Sequence, residues 1–295
     1  MTTLAVENLT KQFGAIHALQ DVSFGLEAGE IFGYLGPNGA GKTTTLRIIL
    51  GLVRASGGRV RILGTDSPGP AIRERVGYLP GEVRLYGTMT GEALLDYFAG
   101  FRPYHPPILR DQLLRKFDLR RGDLTRRIKF LSHGTKQKLG LIIAMQHDPE
   151  LLLLDEPTNG LDPLVQGAFR EVVLDFSRRG RSIFLSSHIL SEIEEICGRV
   201  AMLRAGRLVA VESIQRLRMD MIRKLQVRFR ERVPENLPAV PGVTRVVENG
   251  RDVSLWIRGD VNPILRCIAK ADIDHFVFPE PELEEIFLGY YQTSV

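Results

Sequence analysis

The stretch GPNGAGKTT, residues 36–44, carries the most specific chemistry in the chain. It fits G-x-x-x-x-G-K-[ST], with Gly36, Gly41, Lys42 and Thr43 at the fixed places and Pro37, Asn38, Gly39, Ala40 and Thr44 completing the phosphate-binding stretch. The glycines allow successive backbone N–H groups to curl inward around phosphate oxygens, a turn that side chains would obstruct. Lys42 offers a mobile ammonium to β- and γ-phosphates, and the Thr43 hydroxyl is a ligand for Mg²⁺. Two carboxylates follow downstream in LLLLDE. Asp155 is suited to hold Mg²⁺ through water, and Glu156 to polarise a water attacking a γ-phosphate. In LSSH, His188 stands just past an apolar run, where an imidazole can reach the same phosphate. Taken alone, a histidine there is more often an ordinary strand-end residue. LSHGTKQ places Ser132 as a helix N-cap with Gly134 beside it, and a helix start of this kind is also an anion site. TNGLD, ending at Asp162, is a polar turn directly after the carboxylates.

The elements that must position these groups are legible from pattern. Residues 31–35 (IFGYL) form a short apolar run of the kind a buried parallel strand needs. Residues 46–50 begin a helix whose N-terminus points back at the glycine loop. Strand, loop and helix therefore occur in the order of a P-loop. Residues 3–9 and 22–27 read as strands, with Phe13 in the turn between them; residues 59–63 and 77–79 read as further strands. A helical pattern over residues 89–119 is broken by Pro103, Pro106 and Pro107. An apolar helix, the four-leucine strand, a helix over residues 163–177 and a strand over residues 182–186 follow. Strands at 200–204 and 207–211 flank Ala205–Gly206, a hairpin-like connection. Strands alternating with helices indicate an α/β domain with a largely parallel sheet. Beyond about residue 220 the pattern changes. Strands at 225–230, 243–247, 253–257 and 275–278, with helices at 263–269 and 283–290, indicate a small α+β domain over residues 221–295.

Composition bounds the rest. The chain has 295 residues, 44% apolar and 25% charged, as in a soluble globular protein. No apolar run approaches the ~18 residues that would span a bilayer, and the start lacks the basic-then-apolar pattern of a secretory signal. A cytoplasmic protein is the expectation. The formal charge of +4 gives no reason to expect nucleic-acid binding. Cys197 and Cys267 lie outside any metal-ligand spacing and read as reduced, mostly buried thiols.

Taken in order from Phe13 to His188, these motifs resemble those of the nucleotide-binding subunit of ABC transporters. The resemblance covers about residues 1–220. It implies an α/β P-loop NTPase core, an antiparallel β subdomain, a helical subdomain at about 88–140, and ATP and Mg²⁺ as cofactors. By the same resemblance, Phe13 stacks on adenine, Glu156 activates water, and two copies form a head-to-tail homodimer in ATP. Ser132 and Gly134 would then serve the partner's ATP, and Asp162 would contact across the dimer. The signature departs from the usual LSGGQ at His133 and Thr135. In GYLPGE a glutamine usually follows the proline, whereas here Gly81 stands there and Glu82 comes next, a candidate to take over Mg²⁺ sensing. The tail PEPELEEIFLGYY resembles ATPases serving type-2 ABC exporters, which pair with a separate membrane permease. The implied reading is an exporter ATPase held at the inner face of the membrane through that permease. An importer ATPase and a soluble ABC-type ATPase not coupled to transport are the alternatives.

Overall fold

The computed structural model describes residues 2–66, 69–219 and 222–279. The chain divides into two units, Met1–Val211 and Glu212–Val295, a division falling before the residue-220 boundary suggested by the pattern change.

The first unit begins with β1 (Thr2–Phe13) and β2 (Ile16–Glu27), both longer than their apolar segments alone indicated. They pair antiparallel, with Phe13 opposite Ile16, so Phe13 is the last residue of a strand rather than part of the turn. β3 (Ile31–Leu35) leads through the glycine loop into α1 (Lys42–Ile49). β4 (Gly57–Ile62) then joins β1 to complete a three-stranded antiparallel sheet of order β2-β1-β4. After α2 (Pro70–Glu74) and β5 (Val76–Leu79) come α3 (Gly91–Gly100), α4 (Arg110–Lys116), α5 (Arg121–Thr125) and α6 (His133–Met145). The unit continues with β6 (Leu151–Asp155), α7 (Pro163–Arg178), β7 (Ser182–Ser187), α8 (Leu190–Ile196), β8 (Arg199–Arg204) and most of β9 (Arg207–Ser213), whose last two residues begin the second unit.

The main sheet has the order β5-β6-β7-β3-β8-β9. Its pairings β5–β6, β6–β7, β7–β3 and β3–β8 are all parallel. Every residue of β3, β6 and β7 is buried, as central strands covered on both faces must be, which is why these segments are apolar runs without alternation. β8 and β9 turn through Ala205 and Gly206, both at positive φ (46° and 77°), the backbone of a tight hairpin.

Two contacts lock this sheet to its surroundings. Phe24 of β2 packs with Phe32, Tyr34 and Phe184 at ring-centroid distances of 5.4–5.5 Å, joining the antiparallel sheet to the parallel one. The buried Tyr34 hydroxyl lies 3.1 Å from Thr45 Oγ1, which ties β3 to α1 behind the glycine loop. Among the helices, Arg110 is the clamp. It donates to Gln146 Oε1 (2.9 Å), to the Leu95 carbonyl (3.0 Å) and to Asp96 Oδ1 (2.5 Å), joining α3, α4 and the end of α6. The last half of α6 is buried, so this helix runs from the exposed signature into the core.

The second unit contains α9 (Ile214–Met219) and a four-stranded antiparallel sheet: β10 (Ile222–Phe229), β11 (Val243–Asn249), β12 (Asp252–Arg258) and β13 (Ile273–Val277). The strand order is β11-β12-β10-β13. Leu225, Val227 and Phe229 alternate inward from β10 and pack with Val253, Leu255, Ile257 and Ile264 and Ile268 of α10 (Asn262–Ile268). The helix expected at residues 283–290, and the tail motif it belongs to, lie outside the described residues. Both cysteines are free thiols; burial pushes the Cys197 thiol up, out of the reactive range. Among the described residues no helix is long and apolar enough to cross a membrane.

Candidate functional site

Because β3, β6 and β7 run parallel, their C-terminal ends emerge at one edge of the sheet, where ligands of open α/β sheets bind. The register makes this concrete: Leu35 is level with Ser187, and Asp155 with Ser186. A cavity of about 630 Å³ opens there. Its floor is the glycine loop (Pro37, Asn38, Gly39, Gly41) together with Lys42, Thr43, Thr44, Asp155 and Glu156.

The loop backbone is tight enough to dictate its residues. Gly41 sits at φ 113°, and a Cβ there would lie 2.7 Å from the Ala18 carbonyl oxygen, so no side chain fits. Gly36 and Ala40 do not line the cavity but frame it. The Gly36 carbonyl accepts from Lys42 Nζ at 2.6 Å, and the Ala40 carbonyl accepts from the Gly206 N–H at 3.0 Å. The β8–β9 hairpin is thereby fastened to the loop.

Lys42 is buried, with 6% of its side chain exposed, and its ammonium also donates to the Pro37 carbonyl at 3.3 Å. It lies 3.1 Å from Glu156 Oε1, a charge contact without hydrogen-bond alignment. The other oxygen of Glu156 lies 2.7 Å from His188 Nδ1 and accepts weakly from the His188 backbone N–H at 3.4 Å. Lys42, Glu156 and His188 thus form a continuous chain at the cavity. Glu156 adopts φ 49°, in the left-handed region that costs a side-chain-bearing residue about 1–3 kcal/mol. A hydrogen bond from its N–H to the Ser186 carbonyl (3.1 Å) holds it there.

Thr43 Oγ1 donates to Asp155 Oδ2 at 2.7 Å, and the Ser186 hydroxyl donates to Asp155 Oδ1. A hydroxyl and a carboxylate this close are a hard-oxygen pair that fits Mg²⁺. Among the described residues no cluster of three or more His, Cys, Asp or Glu side chains surrounds a single point. An ion held here would therefore complete its shell with phosphate oxygens and water, as Mg²⁺ characteristically does. The charge of Asp155 also reaches Tyr78, whose phenol is raised first by burial and then by that carboxylate.

A protein-family model described as ABC transporter matches residues 19–159. An ABC transporter ATP-binding protein of Bacillus subtilis, NatA, is 38% identical over 208 residues, covering 68% of this chain and 84% of that protein. A solved structure described as the ATP binding subunit of an ABC transporter superposes with TM-score 0.68 at 32% identity, over 74% of this chain and 92% of the other. The chain belongs to the ABC transporter ATP-binding family. An uncharacterised ATP-binding protein of this family from Synechocystis is 38% identical over 203 residues, and the chain spans 57% of that relative's length.

As an ABC cassette, the chain brings together only part of the residues singled out from its sequence. Ser132 caps α6, accepting from the Thr135 N–H at 3.1 Å, and is exposed. Asp162 caps α7 in the same way, accepting from the Val165 N–H at 3.0 Å. Neither residue, nor Gly134, lines the cavity of its own glycine loop. His133, the departure in the signature, lays its imidazole against Gly160, whose φ of 75° and missing Cβ leave room for the ring. Phe13 is 48% exposed with the Lys11 ammonium 4.5 Å from its ring centre; its strand partner Ile16 lines the cavity instead. Glu82 does not line the cavity. Its carboxylate is largely exposed and held below the usual range by a hydrogen bond from Arg84, while Gly81 beside it does line the cavity.

Sequence reasoning missed several walls of the cavity: Ile16, His17, Ala18 and Gln20 at the start of β2, and the Ala205–Gly206 turn. These contribute mainly shape and backbone, which no motif records. Ser186 was visible in LSSH, but its role in holding Asp155 depends on strand register.

Proposed function

We propose that this chain is the ATP-hydrolysing subunit of an ABC transporter working with a separate membrane permease. The observation that carries the reading is the convergence on one cavity of the Thr43–Asp155 oxygen pair and the Lys42–Glu156 charge pair, with His188, itself outside the cavity lining, bound to the other oxygen of Glu156. The nucleotide's phosphates take the place of Glu156 as the partner of the Lys42 ammonium, while the loop N–H groups cradle them. Glu156, freed from Lys42, orients and deprotonates the attacking water, and His188 holds the other carboxylate oxygen and faces the γ-phosphate. Thr43 and Asp155 are the residues that would hold Mg²⁺, which when bound neutralises charge on the β- and γ-phosphates.

Ser132, Gly134 and Asp162 lie away from their own chain's loop cavity, a placement that supports a head-to-tail homodimer in which they meet the partner's ATP. ATP then favours the closed pair and hydrolysis the open one, a shift between two states driven by differential affinity. The direction we propose is export, on the resemblance of the tail motif; the site of action is the inner face of the membrane, through the permease. Transport by inverted vesicles carrying the chain and its permease tests this: ATP-driven uptake into them is the expected outcome, and ATP-driven efflux from them would refute export. Co-purification with a protein of several ~20-residue apolar runs is the matching expectation for the partner.

A further inference from the structure

Beyond the cavity lining, a carboxylate on α8 is shared by the two loops that carry Glu156 and His188. Thr158 Oγ1 donates to Glu192 Oε1 at 2.5 Å, and Ser187 Oγ donates to Glu192 Oε2 at 2.7 Å. Thr158 follows Glu156 by one intervening proline, and Ser187 immediately precedes His188. Both hydroxyl-bearing residues are buried, so neither hydroxyl has bulk water as a ready substitute. Ser187 Oγ also accepts from the Ile189 N–H at 2.9 Å. The hydrogen-bond chain therefore runs one way, from the Ile189 N–H through the Ser187 hydroxyl to Glu192.

We propose that Glu192 is a positioning residue that sets the distance between Glu156 and His188. This rests on the roles proposed for those two residues. Glu156 and His188 follow different strands, β6 and β7, and their side chains meet at 2.7 Å. Glu156 is further held at φ 49°, a backbone state that persists only where its surroundings over-determine it. A carboxylate suits the task because it accepts only: both hydroxyls can donate to it at once. A carboxamide would face one hydroxyl with an NH₂ group. Each hydroxyl oxygen keeps a free lone pair, so either one can rotate and accept from the amide while the other donates to its carbonyl oxygen. Glutamine thus preserves the link between the loops, and alanine removes it.

The test is Mg-ATP hydrolysis by the full-length chain and its Glu192→Ala, Glu192→Gln and Glu156→Gln variants, with ATP affinity and thermal unfolding measured alongside. For Glu192→Ala we expect kcat to fall about tenfold to a hundredfold, the scale of a small misplacement of reacting groups. KM and ATP affinity should stay within about twofold, because Glu192 does not line the cavity. Glu192→Gln should recover most of the lost kcat. Ser187→Ala should add little when combined with Glu192→Ala, since both remove one link. Turnover by Glu192→Ala at the parent rate, with Glu156→Gln inactive, would overturn the inference. So would a parallel loss of turnover, affinity and melting temperature, which marks a purely structural residue. If Glu156→Gln itself turns over like the parent, the roles underneath fail, and the inference fails with them.

Discussion

Glu156→Gln exposes two consequences of one geometry. In the structure the buried Lys42 ammonium has the Gly36 and Pro37 carbonyls and the Glu156 carboxylate as partners, at 2.6, 3.3 and 3.1 Å. The amide keeps the shape and removes the charge, so the ammonium keeps dipoles but loses its counter-ion. Glu156 is 17% exposed, which places the pair between surface and interior. A loss of about 2 kcal/mol lies between the roughly 0–1 kcal/mol of an exposed ion pair and the roughly 3–5 kcal/mol of breaking a buried one. For a unit of this size that corresponds to about 4–8 °C in Tm. Bound ATP supplies a new anion to Lys42, so the deficit should vanish when ATP is present. The variant's ATP-induced rise in Tm should therefore exceed the parent's by about the same 4–8 °C. Hydrolysis should fall in parallel by about 10²–10⁴-fold, the usual contribution of a general base. Differential scanning fluorimetry with and without ATP, together with phosphate release, reads both. An unchanged nucleotide-free Tm with an unchanged ATP shift would refute the Lys42–Glu156 pairing. Phosphate release above a tenth of the parent's would refute the role of Glu156.

Two further outcomes follow from other parts of the molecule. Thr43→Val removes the hydroxyl 2.7 Å from Asp155, and should raise the Mg²⁺ concentration for half-maximal hydrolysis about tenfold or more while leaving Mg²⁺-free ATP binding nearly intact, as titration of both will read. Burial, followed by the charge of Arg102, lowers the His147 imidazole from 6.5 to about 3. The unfolded chain therefore binds a proton there that the native chain refuses, and stability falls as pH drops from about 6.5 towards 3. In His147→Leu the acid limb of stability against pH should be shallower by up to about 1.4 kcal/mol per pH unit in that window. Denaturant unfolding at pH 7, 6 and 5 checks this; equal slopes in the two proteins would refute it.

The sequence alone settled the class of chemistry and most of the elements. GPNGAGKTT announces its phosphate loop because only that spacing of glycines, lysine and threonine performs the task, and Gly41 at φ 113° shows why the type is obligatory. The all-apolar runs of β3 and β6 betray buried parallel strands because water is excluded from both faces. The alternation in β10 likewise marks one buried face. Tertiary structure decided everything that depends on which segments become neighbours. That Ser186 braces Asp155 follows from the register of β6 on β7. That Glu192 reaches Thr158 and Ser187 follows from where α8 lies against two strand ends. That Ile16 and the Ala205–Gly206 turn wall the cavity while Phe13 stands outside it follows from hairpin geometry. Local residue types record what a segment must do by itself, whereas a distance between segments far apart in the chain is fixed only by the packing that brings them together.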